Sequence, residues 1–165
     1  NKTIKNSFEK RGNKKMAKQI IIATHSELAE GFKNALSFFV GEEKNIHTIC
    51  AFTRDLEPEN TINEFLTKLP KEDKVIVFTD IVGGSVNQLF SKKLIDNDFI
   101  LISGLNLSLL LEMYLVPEEE LNYKKIIEII EKSKNEIKFI NLEYFDALER
   151  IDVLPSNNDD NDFFG

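Results

Sequence analysis

The chain has 165 residues, a net charge of −7, 42% hydrophobic residues and one cysteine, Cys50. That size fits one domain with a core large enough to need no disulfide or metal, and a lone cysteine excludes an intramolecular disulfide. The acidic balance argues against a nucleic-acid partner, and no apolar run approaches the ~20 residues needed to span a bilayer.

The charge is uneven. Residues 1–15 hold six basic side chains and one acidic, so the other 150 carry a balance of −12. An acidic body of this kind steers protein partners with a basic face. The opening "NKTIKNSFEKRGNKK" has no hydrophobic periodicity and no signal-peptide pattern, and a cytoplasmic protein is expected. Ordered structure is expected from Met16. Residues 1–15 then read either as a leader or expression-derived segment, with Met16 the initiator, or as a flexible basic tail. The first alternative rests on "EKRGNKK", which back-translates to a purine-rich stretch resembling a ribosome-binding site; both alternatives stay open.

Residues 18–24 run through three adjacent isoleucines without alternation, as a strand buried on both faces does. From Leu28 to Val40 apolar residues recur at helical spacing, and Gly41 closes that helix. "NIHTICAF" is a second strand in which Cys50 reads as a small buried hydrophobe. "EPENTINEFLTKL" is a second helix and "KVIVFTD" a third, continuous strand. "VGGSVNQLFSKKL" turns into a third helix. "DFILISG" is a fourth strand, and "NLSLLLEMYL" a fourth helix ended by Pro117. "NYKKIIEIIEKSKNEI" is a fifth helix, expected to turn Ile126, Ile127, Ile129 and Ile130 inward. "IKFINL" reads as a short last strand, and "PSNNDDNDFFG" as a disordered acidic tail. The expected organisation is one domain over 16–142 and an extension over 143–165.

Strands alternating with helices predict an α/β fold with a mainly parallel sheet. The flavodoxin-like order 2-1-3-4, with an optional fifth strand, is the topology expected. In such a sheet ligands bind at the carboxyl ends of the strands, at the switch point. That point lies between the first and third strands, which end in His25 and Asp80. The topology thus predicts that two residues distant in sequence are neighbours.

Asp80 leads into "IVGGS". Gly83 and Gly84 allow close backbone approach to a ligand. Ser85 reads as the N-cap of the third helix, with Gln88 completing a capping box. A helix N-terminus suits a phosphate. No nucleotide motif and no Cys/His cluster for a metal accompanies it, so no cofactor is expected. A histidine, a carboxylate and an anion-binding turn together suit a phosphorylated histidine. One ring nitrogen attacks phosphorus, and the carboxylate holds the proton on the other. Each feature alone also has a plain structural reading, as strand cap or ordinary loop. The other histidine, His47, reads as a surface or packing residue, and Glu118, Glu119 and Glu120 as a solvated helix start.

The stretches "IIIATHSELAEGFKNALSFFVGE", "VIVFTDIVGGSVNQL" and "LISGLNLSLLLEMYL" resemble the enzyme IIA domain of the mannose/fructose/sorbose class of the bacterial sugar phosphotransferase system. The likeness spans roughly residues 17–140. It implies that His25 takes a phosphoryl group from HPr and passes it to enzyme IIB. It further implies that Asp80 hydrogen-bonds the imidazole and that Gly83, Gly84 and Ser85, with Thr24 and Asn106, line the phosphate site. It also implies a homodimer that can exchange the terminal strand "IKFIN". Family members often carry Thr-Trp after the aspartate and prolines in the glycine and asparagine loops; here Ile81, Val82, Val86 and Ser108 stand there. The sugar is not legible. About 25 residues follow the likeness, so a free-standing IIA is expected. Two rival readings are the phosphoryl-transfer subunit of a dihydroxyacetone kinase and a IIA-like regulatory module.

Overall fold

A computed structural model of the protein describes residues 17–42, 44–53 and 58–145. The expectations for residues 1–16 and for the acidic tail beyond residue 145 lie outside the described residues. The elements follow the expected sequence: β1 (Lys18–His25), α1 (Leu28–Val40), β2 (Ile46–Ala51), α2 (Pro58–Lys68), β3 (Lys74–Thr79), α3 (Ser85–Lys93), β4 (Ile100–Ser103), α4 (Leu107–Leu115) and α5 (Tyr123–Asn135). The four strands form one parallel sheet in the order β2-β1-β3-β4.

The isoleucine run explains the layering. Side chains alternate across a strand, so Ile20 and Ile22 face one side of the sheet and Ile21 and Ala23 the other; all four are fully buried. The first side packs with Ile76, Phe78 and Ile102 against α1, α4 and α5 through Leu36, Leu110, Met113 and Ile129. The second packs with Val75 and Val77 against α2 and α3 through Ile62, Val86 and Phe90. Both central strands are therefore covered on both faces, as a parallel sheet requires. No helix among the described residues is long and apolar enough to cross a membrane.

Lys18 ties the sheet to α4. Its Nζ donates to the carbonyls of Met113 (3.0 Å), Tyr114 and Val116 (2.5 Å), serving carbonyls that a helix C-terminus leaves unpaired. Burial lowers the Lys18 pKa, and the nearby Glu118 carboxylate offsets part of that shift.

Three sequence expectations change here. Residues 118–120 form a turn before α5, not its start, and Glu118 accepts the backbone N–H of Lys18 at 3.2 Å. Ile127 is exposed while Ile129 is buried, because four isoleucines within five positions cannot share one face of a 3.6-residue period. Residues 137–141 carry no regular structure in the single chain. The only described strand next to β3 on that side is β4, and no described strand pairs with its outer edge.

Candidate active site

β1 and β3 are adjacent and parallel, with Ala23 opposite Thr79. Their carboxyl ends therefore lie side by side and bring His25 to Asp80. The His25 imidazole is held at both nitrogens. Nδ1 lies 2.8 Å from Asp80 Oδ2, and Nε2 lies 2.8 Å from Ser85 Oγ. The same Oδ2 also accepts the backbone N–H of His25 at 2.9 Å, and Oδ1 accepts that of Ile81 at 2.9 Å.

The two partners differ in access: the His25 side chain is 37% exposed and that of Asp80 only 8%. Burial pushes the Asp80 carboxyl up, but hydrogen bonds from the His25 backbone, the imidazole and Ile81 outweigh it. The carboxyl is held below its ordinary value, so Asp80 is ionised at neutral pH. A carboxylate accepts only, which makes Nδ1 the protonated nitrogen. In the neutral ring with that tautomer, Nε2 carries the lone pair and accepts the Ser85 hydroxyl.

The Gly83–Ser85 turn is built differently from the capping box expected of it. The N-cap of α3 is Gly84, and no side chain caps the helix. Ser85 is its first helical residue, and its hydroxyl goes to His25. Gln88 Nε2 instead donates to the Gly83 carbonyl at 2.7 Å. Either glycine before Ser85 can serve as N-cap, so the S-x-x-Q spacing alone did not fix the register. The N–H groups of both glycines are already used, Gly83 by Asn87 Oδ1 (3.0 Å) and Gly84 by the Ile81 carbonyl (3.1 Å). The glycines contribute shape. Gly83 has φ +71°, and a Cβ on Gly84 would stand 3.3 Å from His25 Cε1.

The helices beginning beside His25, α1 and α3, both lack a side-chain cap. By contrast, Asn106 caps α4 and Asn122 caps α5. The first-turn N–H groups of α3 thus adjoin the imidazole without a competing side chain, an electropositive place for an anion.

Two sequence-derived site residues stand apart. Thr24 alternates with His25, so it points to the opposite face of the sheet; it is fully buried, and its hydroxyl donates to the His25 carbonyl. Asn106 Oδ1 accepts from Leu109 N, and its Nδ2 donates to Ser133 Oγ; none of its hydrogen bonds reaches His25 or Ser85. His47 is a packing residue, bonded to Gln19 Oε1 at 2.9 Å and set edge-on against Phe65.

Two residues were missed. Asn87 is buried and bridges the Gly83 N–H to Thr79 Oγ1 (3.2 Å), pinning the glycine turn to the end of β3. The available signal was a polar residue between Val86 and Phe90 on the inner face of α3. Phe52 stacks on the His25 ring with centroids 5.8 Å apart. Nothing in "CAFTR" announces that contact.

Fold and site together define a flavodoxin-like α/β domain with a carboxylate-anchored histidine at its switch point. A family model described as the PTS system fructose IIA component matches residues 19–131, and the chain belongs to that family. It is thus a component of a sugar phosphotransferase system, with phosphoryl transfer as its general role. It is similar to a protein from Klebsiella pneumoniae subsp. pneumoniae provisionally assigned as a phosphoenolpyruvate-dependent sugar phosphotransferase system permease. That match has 32% identity over 78% of this chain and 95% of the other, with a TM-score of 0.70. The PTS IIA protein associated with the fucose utilization operon of Streptococcus pneumoniae is 25% identical over 79% and 96%, with a TM-score of 0.66. The mannose/sorbose-specific IIA subunit from Enterococcus faecalis is 19% identical over 77% and 97%, with a TM-score of 0.64; that likeness speaks for the fold alone.

Proposed function

We propose that His25 carries a phosphoryl group between HPr and enzyme IIB in the cytoplasm. The carrying observation is the division of labour on the imidazole, with Nδ1 on the Asp80 carboxylate and Nε2 toward the Ser85 hydroxyl. The Nε2 lone pair attacks phosphorus as the N–P bond of phospho-HPr breaks, and that bond's electron pair returns to the donor ring. The proton on Nδ1 stays, and Asp80 stabilises the positive charge that builds on the ring. Ser85 turns its hydroxyl from Nε2 to a phosphoryl oxygen, and the first turn of α3 completes the anion site. The reverse sequence hands the group to IIB. In this reading Gly83 and Gly84 keep the turn clear of the phosphoryl group, and Thr24 and Asn106 hold the surrounding frame.

Around His25, Leu28, Phe52, Ile81 and Val82 are exposed, an apolar collar against which a carrier protein docks. At the far end of the chain, Ile137, Phe139, Ile140 and Leu142 are exposed beside no described strand. We assign them to a homodimer contact in which 137–141 pairs with a second copy.

The test is incubation with phosphoenolpyruvate, enzyme I and HPr. One acid-labile phosphate per chain is expected, absent in His25→Gln, and transferable to a IIB. Failure of wild-type protein to take label overturns the reading; label that reaches no IIB points to a regulatory role. Sedimentation velocity checks the dimer, and a monomer at micromolar concentration removes it.

A further inference from the structure

Two non-glycine residues among those described have positive φ: Ser26 at 53° and Phe52 at 61°. They stand at matched places. His25 and Ala51 are register partners at the ends of β1 and β2, and Ser26 and Phe52 are the residues that follow. The Ser26 N–H donates to the Ala51 carbonyl at 2.9 Å, and the Thr53 hydroxyl to that of Cys50 at 2.9 Å. The first bond ties the two strand ends together, and the second closes the turn that follows β2.

Left-handed backbone in a bulky aromatic residue is a genuine outlier, and such outliers gather at functional sites. Core packing does not account for this one, since Phe52 is 49% exposed. What the conformation achieves is to lay the ring over the His25 imidazole, centroids 5.8 Å apart and planes 21° from parallel. That is the offset-stacked arrangement aromatic pairs prefer.

The in-plane contacts leave this task undone. Asp80 and Ser85 hold the imidazole at opposite nitrogens, so the ring can still roll about the line joining them. Rolling would swing the Nε2 lone pair relative to its Ser85 partner and the α3 terminus. A flat face laid on the imidazole blocks that roll. It also stabilises the positive charge on the ring as the N–P bond forms, since an aromatic face attracts a cation.

We propose that Phe52 is a positioning residue for phosphoryl transfer at His25, held by its left-handed backbone where it fixes the plane of the imidazole. The inference rests on the reading of His25 as the phosphoryl carrier.

The test compares Phe52→Leu, Phe52→Tyr and Phe52→Gly in single-turnover transfer from phospho-HPr, with melting temperature and the proton NMR shifts of the His25 ring. Phe52→Leu keeps apolar bulk without a flat face. It is expected to slow transfer roughly 2- to 10-fold, the range an aromatic stack supplies, and to move the His25 ring protons downfield as the ring current is lost. Phe52→Tyr keeps the flat face and is expected to slow transfer less than Phe52→Leu does. Phe52→Gly relieves the left-handed strain, so it melts no lower than Phe52→Leu yet transfers as slowly. If wild type takes label but Phe52→Leu transfers at the wild-type rate, the positioning role is overturned alone. Ring-proton shifts identical in wild type and Phe52→Leu overturn the stack itself. If wild type takes no label, the carrier reading fails and this role falls with it.

Discussion

A single oxygen of Asp80, Oδ2, meets both the backbone N–H and the ring Nδ1 of His25, at 2.9 and 2.8 Å. One carboxylate thereby fixes where the strand end lies and which ring nitrogen is protonated. Asp80→Asn removes the charge but leaves one atom facing both groups. An amide oxygen there still accepts both N–H bonds, without the charge that stabilises the ring, and sets the amide NH₂ against the Ile81 N–H. An amide NH₂ there forces the proton to Nε2, which abolishes the nucleophile, and leaves the His25 backbone N–H without its acceptor. Transfer from phospho-HPr is expected to fall by roughly 10²- to 10⁴-fold, measured by rapid quench, with the circular dichroism spectrum unchanged. A wild-type rate would remove Asp80 as the orienting group.

The Asp80 carboxyl is held below the ordinary aspartate value of 3.8 by its bonds to His25 and Ile81, against the opposing effect of burial. The unfolded chain therefore binds the proton more tightly than the folded one. The stability this contributes is fully present above the unfolded value and is lost as pH falls through the folded one. Urea unfolding of wild type and Asp80→Asn across pH 2–6 checks the sign. The stability gap between them is expected to be widest near the upper limit and to close at the lower.

The glycine turn offers a paired test. A Cβ on Gly84 would meet the Ile81 carbonyl at 3.1 Å and His25 Cε1 at 3.3 Å. Since the imidazole is pinned at both nitrogens, either the turn or the ring must shift. Gly84→Ala is expected to cost about 1–3 kcal/mol of stability and to slow transfer about 10- to 100-fold through misplacement of Nε2. Gly31 in α1 has nothing within 4 Å of a Cβ. Gly31→Ala is expected to stabilise by about 0.5–1 kcal/mol with unchanged transfer. Equal effects of the two substitutions on transfer would show that contact with His25 is not what matters at Gly84.

Asn87 holds the turn from below, with one end of its amide on Gly83 N–H and the other on Thr79 Oγ1. Asn87→Ala removes the partner of the fully buried Thr79 hydroxyl and of the Gly83 N–H in the exposed turn, at about 1–3 kcal/mol. The turn loosens, so transfer is expected to slow more than Asn87→Asp slows it, because the aspartate still accepts from Gly83. Chemical denaturation and the quench assay read the two effects separately.

The sheet was legible because three of its four strands are unbroken apolar runs with turn residues between them. The order 2-1-3-4 by itself puts His25 beside Asp80. What stayed hidden were choices between neighbours. Ser85 sits one residue after two glycines that can each cap a helix, so motif spacing put it at the N-cap when its hydroxyl is on His25. Thr24 was placed at the phosphate site through the family resemblance, and strand alternation sends it to the face opposite His25. Phe52 reaches the site through a backbone conformation that phenylalanine rarely adopts, which no propensity anticipates. The segment 137–141 looks like a strand by composition, but a strand needs an edge to pair with, and the single chain does not bring it to one.

Lys18 gives a prediction about stability alone. It lies at the end of β1 opposite His25, 5% exposed, with its ammonium on three carbonyls at the end of α4. Lys18→Met keeps the apolar stem but leaves those carbonyls without their donor. A loss of about 1–3 kcal/mol is expected, with phosphorylation of His25 unchanged once the protein is folded. The pH dependence supplies an independent check. Burial holds the Lys18 pKa below 10.5, against the attraction of Glu118, so between the folded and unfolded values the unfolded chain binds more protons. Stability attributable to this group therefore rises with pH through that window, and the charged form carries its desolvation cost below it. Urea midpoints taken from pH 7 to 10.5 are expected to show that rise in wild type and a flatter profile in Lys18→Met. Parallel profiles would mean that the ammonium is not desolvated where it caps α4, and that the helix end is held by packing instead.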